Sequence, residues 1–383
     1  MATNGTAPVG VSKNIKQIGR MDLPGGGSVV VENGYAYVGH MDPPHGTSII
    51  DVKDPKNPKV VSHIEIAEGL HSHKVRVSGD IMLINYERYK AKQELQSGLK
   101  IFDISNKSQP REIAMYKTPG KGVHRFTFDG RYAYISPTME GYRTNIMLIL
   151  DLADPAHPIE VGRWWMPGQW TAGGEVPTWK ERGPRQPRCH HPIRMGDRLY
   201  TSYWHGGGFI LDISDMAHPA MVSSLDWSPP FPWPMHSLVP IPFPIYGHRW
   251  MLVADEDVQP KEFDCVADMP AALWMVNITD ETKPVVVSSY QVEGLDGKIH
   301  AAQTGCHQPV ENIRGTEVPC AWFAQGLRIL DISNPRSMRE VASYVPDPAP
   351  GASRISSNDV FVDDRGLIYL IDRVRGMHIV ERA

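Results

Sequence analysis

One segment of fixed design recurs along this chain, and a chain that repeats itself at a regular interval has few folds open to it. A short apolar strand ends in Asp or Asn, enters a turn, and gives way to a second strand. The copies read SIIDVKDPKNPKVVSHI, LKIFDISNKSQPREIAMY, LILDLADPAHPIEVGRW, FILDISDMAHPAMVSSL, LWMVNITDETKPVVVSSY and LRILDISNPRSMREVASY. Their markers are Asp51, Asp103, Asp151, Asp212, Asn277 and Asp331, which by subtraction stand 52, 48, 61, 65 and 54 residues apart. An interval of about 50 residues is the size of one four-stranded propeller blade. A second hairpin precedes most markers, with turns at Asn33-Gly34, Gly79-Asp80, Asp129-Gly130, Gly196-Asp197 and Arg365-Gly366. Such pairs supply the positive φ that two-residue hairpin loops require.

The final copy stops early. It ends GMHIVERA, with Glu381 at the marker position, and lacks an outer strand, while the N-terminal NIKQIGRMDLPG matches the outer strand of the other copies. Pairing the two ends would remove an exposed edge. The fold class expected is therefore all-β, a seven-bladed β-propeller closed by pairing of N- and C-terminal strands, with residues 1–383 as one domain. The Asp of each marker turn is expected to be structural, its carboxylate accepting backbone N–H groups.

Composition narrows the function classes. The net charge of -4 argues against a nucleic-acid surface, which needs a basic excess. No run approaches the ~18 apolar residues of a membrane span. Residues 1–20 contain no apolar stretch of signal-peptide length, so a cytoplasmic location is the expectation. The four cysteines, Cys189, Cys265, Cys306 and Cys320, form no CxxC pair and no disulfide framework. Cys189 and Cys306 read as buried structural thiols more readily than as ligands.

The repeat resembles the LVIVD-repeat family, named for a segment like LRILDIS here, and the resemblance covers nearly the whole chain. It implies a propeller and little about chemistry. Selenium-binding proteins and carotenoid-cleaving oxygenases are similar in architecture, being propellers with metal-binding histidines. That similarity is not one of sequence.

Aligned on their apolar residues, the innermost strands read HKVRV, HRFTF, HPIRM, HSLVP and HQPVE, beginning with His73, His124, His191, His236 and His307. The two other copies offer Ser28 and Asn358. Equivalent positions on successive blades should aim five imidazoles at one place. The register is open between His71 and His73, and between His190 and His191. Imidazole nitrogens suit transition metals, and several packed together without a cation must stay neutral. One transition-metal ion is expected, with iron or copper favoured and zinc or manganese as alternatives. Ordinary channel histidines binding water or an anion are the competing reading.

The second strand of each blade should end at the same mouth. It offers His40, Tyr86, Glu87, Arg88, Glu140, His205, Glu256, Asp257, Gln325, Asp372 and Arg373. Glu87 and Tyr86 are the catalytic candidates, because NYER lies in the copy that carries His73. Insertions at 163–188, 226–235 and 255–270 lead toward the channel mouth and read as lid loops. Their tryptophans, with Trp170, Trp179 and Trp233 foremost, join His40 and His205 as substrate-contact candidates. The expected activity is that of a metal-dependent oxidoreductase acting on a small hydrophobic or aromatic substrate. A metal-dependent hydrolase or lyase is the runner-up, and a non-catalytic scaffold is the alternative. No nucleic acid or membrane partner is expected, and a homo-oligomer is compatible with the sequence.

Overall fold

The computed structural model describes residues 10–179, 186–228, 231–258, 270–292, 305–352 and 354–383. Its regular structure is almost wholly β, with seven sheets of four strands or more, the seven-bladed β-propeller that the repeat predicts. By contact the chain divides into two compact units: one of Gly27–Asp54 with Pro58–Ser224, and one of Pro55–Asn57, the segment ending at Gly26, and the chain from Leu225 on.

In order along the chain, β1 (Val11–Lys13) and β2 (Ile15–Pro24) precede the first unit. That unit carries four sheets. They are β3 (Gly26–Glu32), β4 (Tyr35–His40), β5 (His45–Asp51) and β6 (Lys59–Glu65); then β7 (Leu70–His71), β8 (Val75–Ser78), β9 (Ile81–Arg88), β10 (Gly98–Asp103) and β11 (Arg111–Lys117); then β12 (Val123–Phe128), β13 (Tyr132–Pro137), β14 (Met147–Asp151) and β15 (Ile159–Trp164); and β16 (His191–Met195), β17 (Arg198–Ser202), β18 (Gly208–Asp212) and β19 (Ala220–Leu225). The three strands nearest the start of each sheet are mostly buried and the fourth is mostly exposed, as in β6 and β11. Apolar clusters fill the space between consecutive sheets. Ile49, Ile66, Val75 and Ile84 form one, Leu83, Ile101, Phe126 and Leu148 the next, and Tyr134, Ile149, Leu199 and Phe209 the third.

The other unit carries three sheets: β20 (Met235–Pro240), β21 (Trp250–Asp255), β22 (Leu273–Asn277) and β23 (Val285–Tyr290); β24 (Gln308–Pro309), β25 (Glu317–Ala321), β26 (Leu327–Asp331) and β27 (Arg339–Val345); and β28 (Ser357–Val362), β29 (Ile368–Asp372) and β30 (Arg375–Arg382). The expected exchange between the termini is present here. β2 pairs antiparallel with β30 and supplies the missing outer strand, with Lys16 opposite Glu381 and Arg20 opposite His378. β1 adds to the edge of β27, a fifth strand that the repeat did not announce.

The marker turns are built as expected. The side-chain oxygen of each marker accepts the N–H two residues on: Lys53 from Asp51 at 3.0 Å, Ser105 from Asp103 at 2.9 Å, Ala153 from Asp151 at 2.8 Å, and equally at Asp212, Asn277 and Asp331. The local bond caps the third strand and starts the return to the fourth.

The innermost strands break their regularity at the histidines. The inner position of the second sheet is shared by β7 and β8, separated by Ser72–Lys74. Register shifts fall around His124 in β12, at His236 in β20 and at Asn358 in β28. Such irregularities re-aim side chains that strict alternation would send elsewhere. A polar side chain of the second strand bonds the inner segment of three sheets in the first unit, with or without a break. Asn85 accepts the N–H of Lys74 at 2.8 Å, Ser136 that of Arg125 at 2.9 Å, and Ser202 that of His191 at 3.0 Å. The residues preceding these anchors are His73, His124 and His190.

Candidate metal centre

That anchoring pattern sets the equivalence. His190, not His191, occupies the place of His73 and His124, one residue before the position the apolar alignment gave. The rings follow suit within this unit: the His73 and His124 centroids are 5.2 Å apart, and those of His124 and His190 are 5.0 Å apart. His191 is fully buried at the start of β16.

His71 joins this arc. It pairs with Glu87 across β7 and β9, and its ring stacks on that of His73 at 3.8 Å. Ligand atoms of His71, His73 and Glu87 all lie within 4.8 Å of one another, and all three residues are buried. Donors about 2.1 Å from one ion are separated by roughly 3–4 Å, so closing on an ion asks these atoms to draw together by up to about 1–2 Å.

The hydrogen bonds fix which nitrogens carry lone pairs. His71 Nδ1 donates to the Met41 carbonyl at 2.6 Å, which leaves Nε2 as an acceptor. His124 Nδ1 donates to Glu87 Oε2 at 2.8 Å. His73 Nδ1 is buried and has no hydrogen-bond partner among the described residues. A buried imidazole with one nitrogen left unpaired, in a group that also holds a carboxylate and a second imidazole, suits a cation.

The electrostatics keep the imidazoles neutral. Burial lowers His71 to about 4, against the opposing pull of Glu87. Burial holds His73 well below its ordinary value, helped by His71 and Lys74, and does the same for His190, helped by His124 and Arg125. His124 is lowered by burial, with Glu87 opposing. Burial would raise Glu87, but its contacts with His124 and the nearby His71 and Arg188 outweigh that and lower it. At neutral pH the arc is therefore four neutral imidazoles and one carboxylate, the protonation state that metal binding needs.

In the three-sheet unit, the His236 and His307 rings stand 4.1 Å apart. His236 Nδ1 meets Ser237 Oγ at 2.7 Å, and His307 Nδ1 donates to the Asn358 carbonyl. Glu256 lies 3.8 Å from both His307 Nε2 and Arg373 Nη2, while Arg373 Nε donates to Asn358 Oδ1 at 2.9 Å. The polar gap expected at Asn358 is thus a brace for a histidine and an arginine.

The remaining candidates are placed as follows. Tyr86 points away from the arc, as alternation along β9 dictates, into the apolar cluster with Ile66 and Leu70. The structure places no catalytic role on that side chain. His40 is buried and bonds Ser48 at 2.8 Å. His205 is buried against Trp204. Trp170 is exposed and lies with Trp165 and Tyr142, and Trp179 packs over Gly168, so the described part of the first insertion folds on itself around Glu175, which accepts Trp165 Nε1 and the Gly168 N–H. Trp233 is buried. Parts of all three proposed lids, at 180–185, 229–230 and 259–269, lie outside the described residues, as does Cys265. Sequence reasoning passed over Arg188 and Trp204. Trp204 stacks on His190 at 5.9 Å, and the Arg188 guanidinium lies 3.9 Å from the Trp204 ring centre. The run RCHHP held the signal.

Seven such sheets, with an inner strand bearing histidines and a last sheet shared by both termini, define a repeat-built β-propeller. The LVIVD repeat model matches residues 26–65, 95–118, 127–165, 195–226 and 320–345, and the chain belongs to that family. No curated protein matches it. Among solved structures it is similar to the WD40 β-propeller domain of Doa1, at 8% identity and a TM-score of 0.58 over 96% of this chain and 97% of that one. It is also similar to the Pseudomonas aeruginosa periplasmic gluconolactonase PpgL, at 11% identity and a TM-score of 0.61 over 88% of each chain. Saccharomyces cerevisiae Sqt1 aligns at 7% identity and a TM-score of 0.58 over 96% and 98%. At such identities the likeness is one of fold. No helix among the described residues is long and apolar enough to cross a membrane.

Proposed function

We propose that this chain is a metal-dependent enzyme whose transition-metal ion is held by His71, His73 and Glu87. The observation that carries the reading is the buried trio itself, two neutral imidazoles and an ionised carboxylate whose ligand atoms lie within 4.8 Å of one another, with a His73 ring nitrogen that has no hydrogen-bond partner among the described residues. Two imidazoles and one carboxylate are the donor types of mononuclear non-haem iron sites. That supports oxidoreductase chemistry, with iron favoured over copper, on a small hydrophobic or aromatic substrate. The ion when bound would supply an open coordination position for a reactant. Glu87 balances its charge, and its bond to His124 Nδ1 turns the lone pair on His124 Nε2 outward as a proton acceptor. Trp204, stacked on His190, gives the arc an apolar wall. Zinc accepts the same donor set for hydrolysis, and the fold likeness to a gluconolactonase keeps that second reading in view.

The test is elemental analysis of untagged protein after reconstitution with iron, copper, zinc or manganese, alongside His73→Ala and Glu87→Gln. The wild type should hold one equivalent of metal more than either variant. Variants that hold as much metal as the wild type would overturn the assignment.

A further inference from the structure

We infer that the first sheet carries a second, solvent-facing site for a divalent transition-metal ion, formed by the ring nitrogens of His45 and His63 with Glu65 on the same face as a nearby charge, and using none of the residues of the buried arc. His45 lies on β5 and His63 and Glu65 on β6. In register, His45 stands opposite Glu65 and Ser48 opposite His63, with a bulge between His45 and Thr47. The extra residue, Gly46, restores parity, so that His45, Ser48, His63 and Glu65 share one face. A side chain at Gly46 would meet the Ile64 carbonyl at 2.7 Å. His63 is exposed and His45 half-buried, so an ion can reach them.

Ring nitrogens His45 Nδ1 and His63 Nε2 are 3.2 Å apart. Two nitrogens at that separation, each about 2.0–2.1 Å from an ion, subtend roughly 100–105° at it, close to tetrahedral. The outer contacts orient the donor. His63 Nδ1 meets Ser48 Oγ at 2.9 Å, and Ser48 Oγ meets the buried His40 Nε2 at 2.8 Å. With Ser48 donating to His40 and accepting from His63 Nδ1–H, the His63 lone pair sits on Nε2, the atom aimed at His45. Metal-ligating histidines are held in this way by a bond at the other ring nitrogen. Burial and, less strongly, His45 lower the proton affinity of His63, so it is a neutral donor near pH 7, while Glu65 supplies a nearby negative charge. His40, marked in the sequence as a substrate contact, acts here as a positioning residue.

The experiment is calorimetric titration of zinc into the chelator-treated full chain without a tag, for the wild type and for His45→Ala, His63→Ala, Ser48→Ala and His73→Ala. His45→Ala and His63→Ala should each abolish the same one equivalent of zinc, Ser48→Ala should weaken it about tenfold, and His73→Ala should leave it in place. Both histidines lie at the surface of an outer hairpin, and unchanged thermal melts will show that the variants fold. Isotherms of His45→Ala or His63→Ala that superimpose on the wild type would overturn the proposal.

Discussion

Asp255 is a buried carboxylate at the end of β21, clamped between two indoles: Trp274 Nε1 donates to it at 2.6 Å and Trp227 Nε1 at 3.2 Å. Burial raises its pKa from 3.8 to about 7, against the pull of those donors toward the charged form. The folded state thus binds this proton more tightly than the unfolded chain does. The resulting stability is complete below the unfolded value near pH 4 and is lost as pH rises through about 7. At 1.36 kcal/mol per pKa unit the whole contribution is about 4 kcal/mol, of which about 3 kcal/mol disappears between pH 5 and pH 8. Buried histidines lowered by burial, such as His71 and His378, act in the opposite sense, gaining stability as pH rises from about 4 to about 6.5. The Asp255→Asn comparison removes that background, because the variant keeps the histidines and loses only the titrating carboxyl. Thermal melts by circular dichroism at pH 5 and pH 8 should show the wild type losing several degrees more than Asp255→Asn on going to the higher pH. Parallel pH profiles for the two proteins would refute the reasoning.

Two further outcomes follow from packing. Tyr86→Ala should destabilise the protein by about 3–5 kcal/mol, whereas Tyr86→Phe should leave bound metal unchanged when measured by elemental analysis, because that ring fills an apolar cluster away from the histidine arc. Gly98 has a φ of 147° and a side chain there would meet the Tyr116 carbonyl at 2.0 Å, so Gly98→Ala should lower the melting temperature far more than Gly79→Ala, where φ is 60° and the added carbon meets nothing within 4 Å.

The architecture was legible because most repeats state it twice, once in the marker turn and once in the hairpin upstream. The exchange of termini was legible too, since a copy missing its last strand and an orphan strand at the other end name each other. The site was harder to read. Period-two alternation assumes an unbroken strand, and the inner strands break just where the histidines sit. Asn85 and Ser136 hold those breaks open from the neighbouring strand, and no local pattern in HKVRV or HRFTF announces it. Hence His71 turned inward beside His73, and His190 took the place assigned to His191. Pro192 contributed to that error: it falls where an apolar strand residue was expected, so the alignment slid by one. Glu87 was found for a simple reason, that NYER lies in the copy that carries His73, but Tyr86 came along with it although adjacent strand residues face opposite ways. The bulge that brings His45 and His63 together depends on Gly46, whose spacing carries no such message on its own.

The sheet shared by β2 and β30 imposes an order on synthesis. Residues 15–24 leave the ribosome about 350 residues ahead of their partners, residues 375–382. At about 5–20 residues per second, the first outer strand waits some tens of seconds with its edge unmatched. Its pattern suits the wait: Lys16, Gln17, Arg20 and Asp22 put polar and charged side chains on that strand's exposed positions. The sheet is thus completed only when residues 375–382 arrive, and a nascent chain stalled before them carries an open seam however well the earlier sheets have formed.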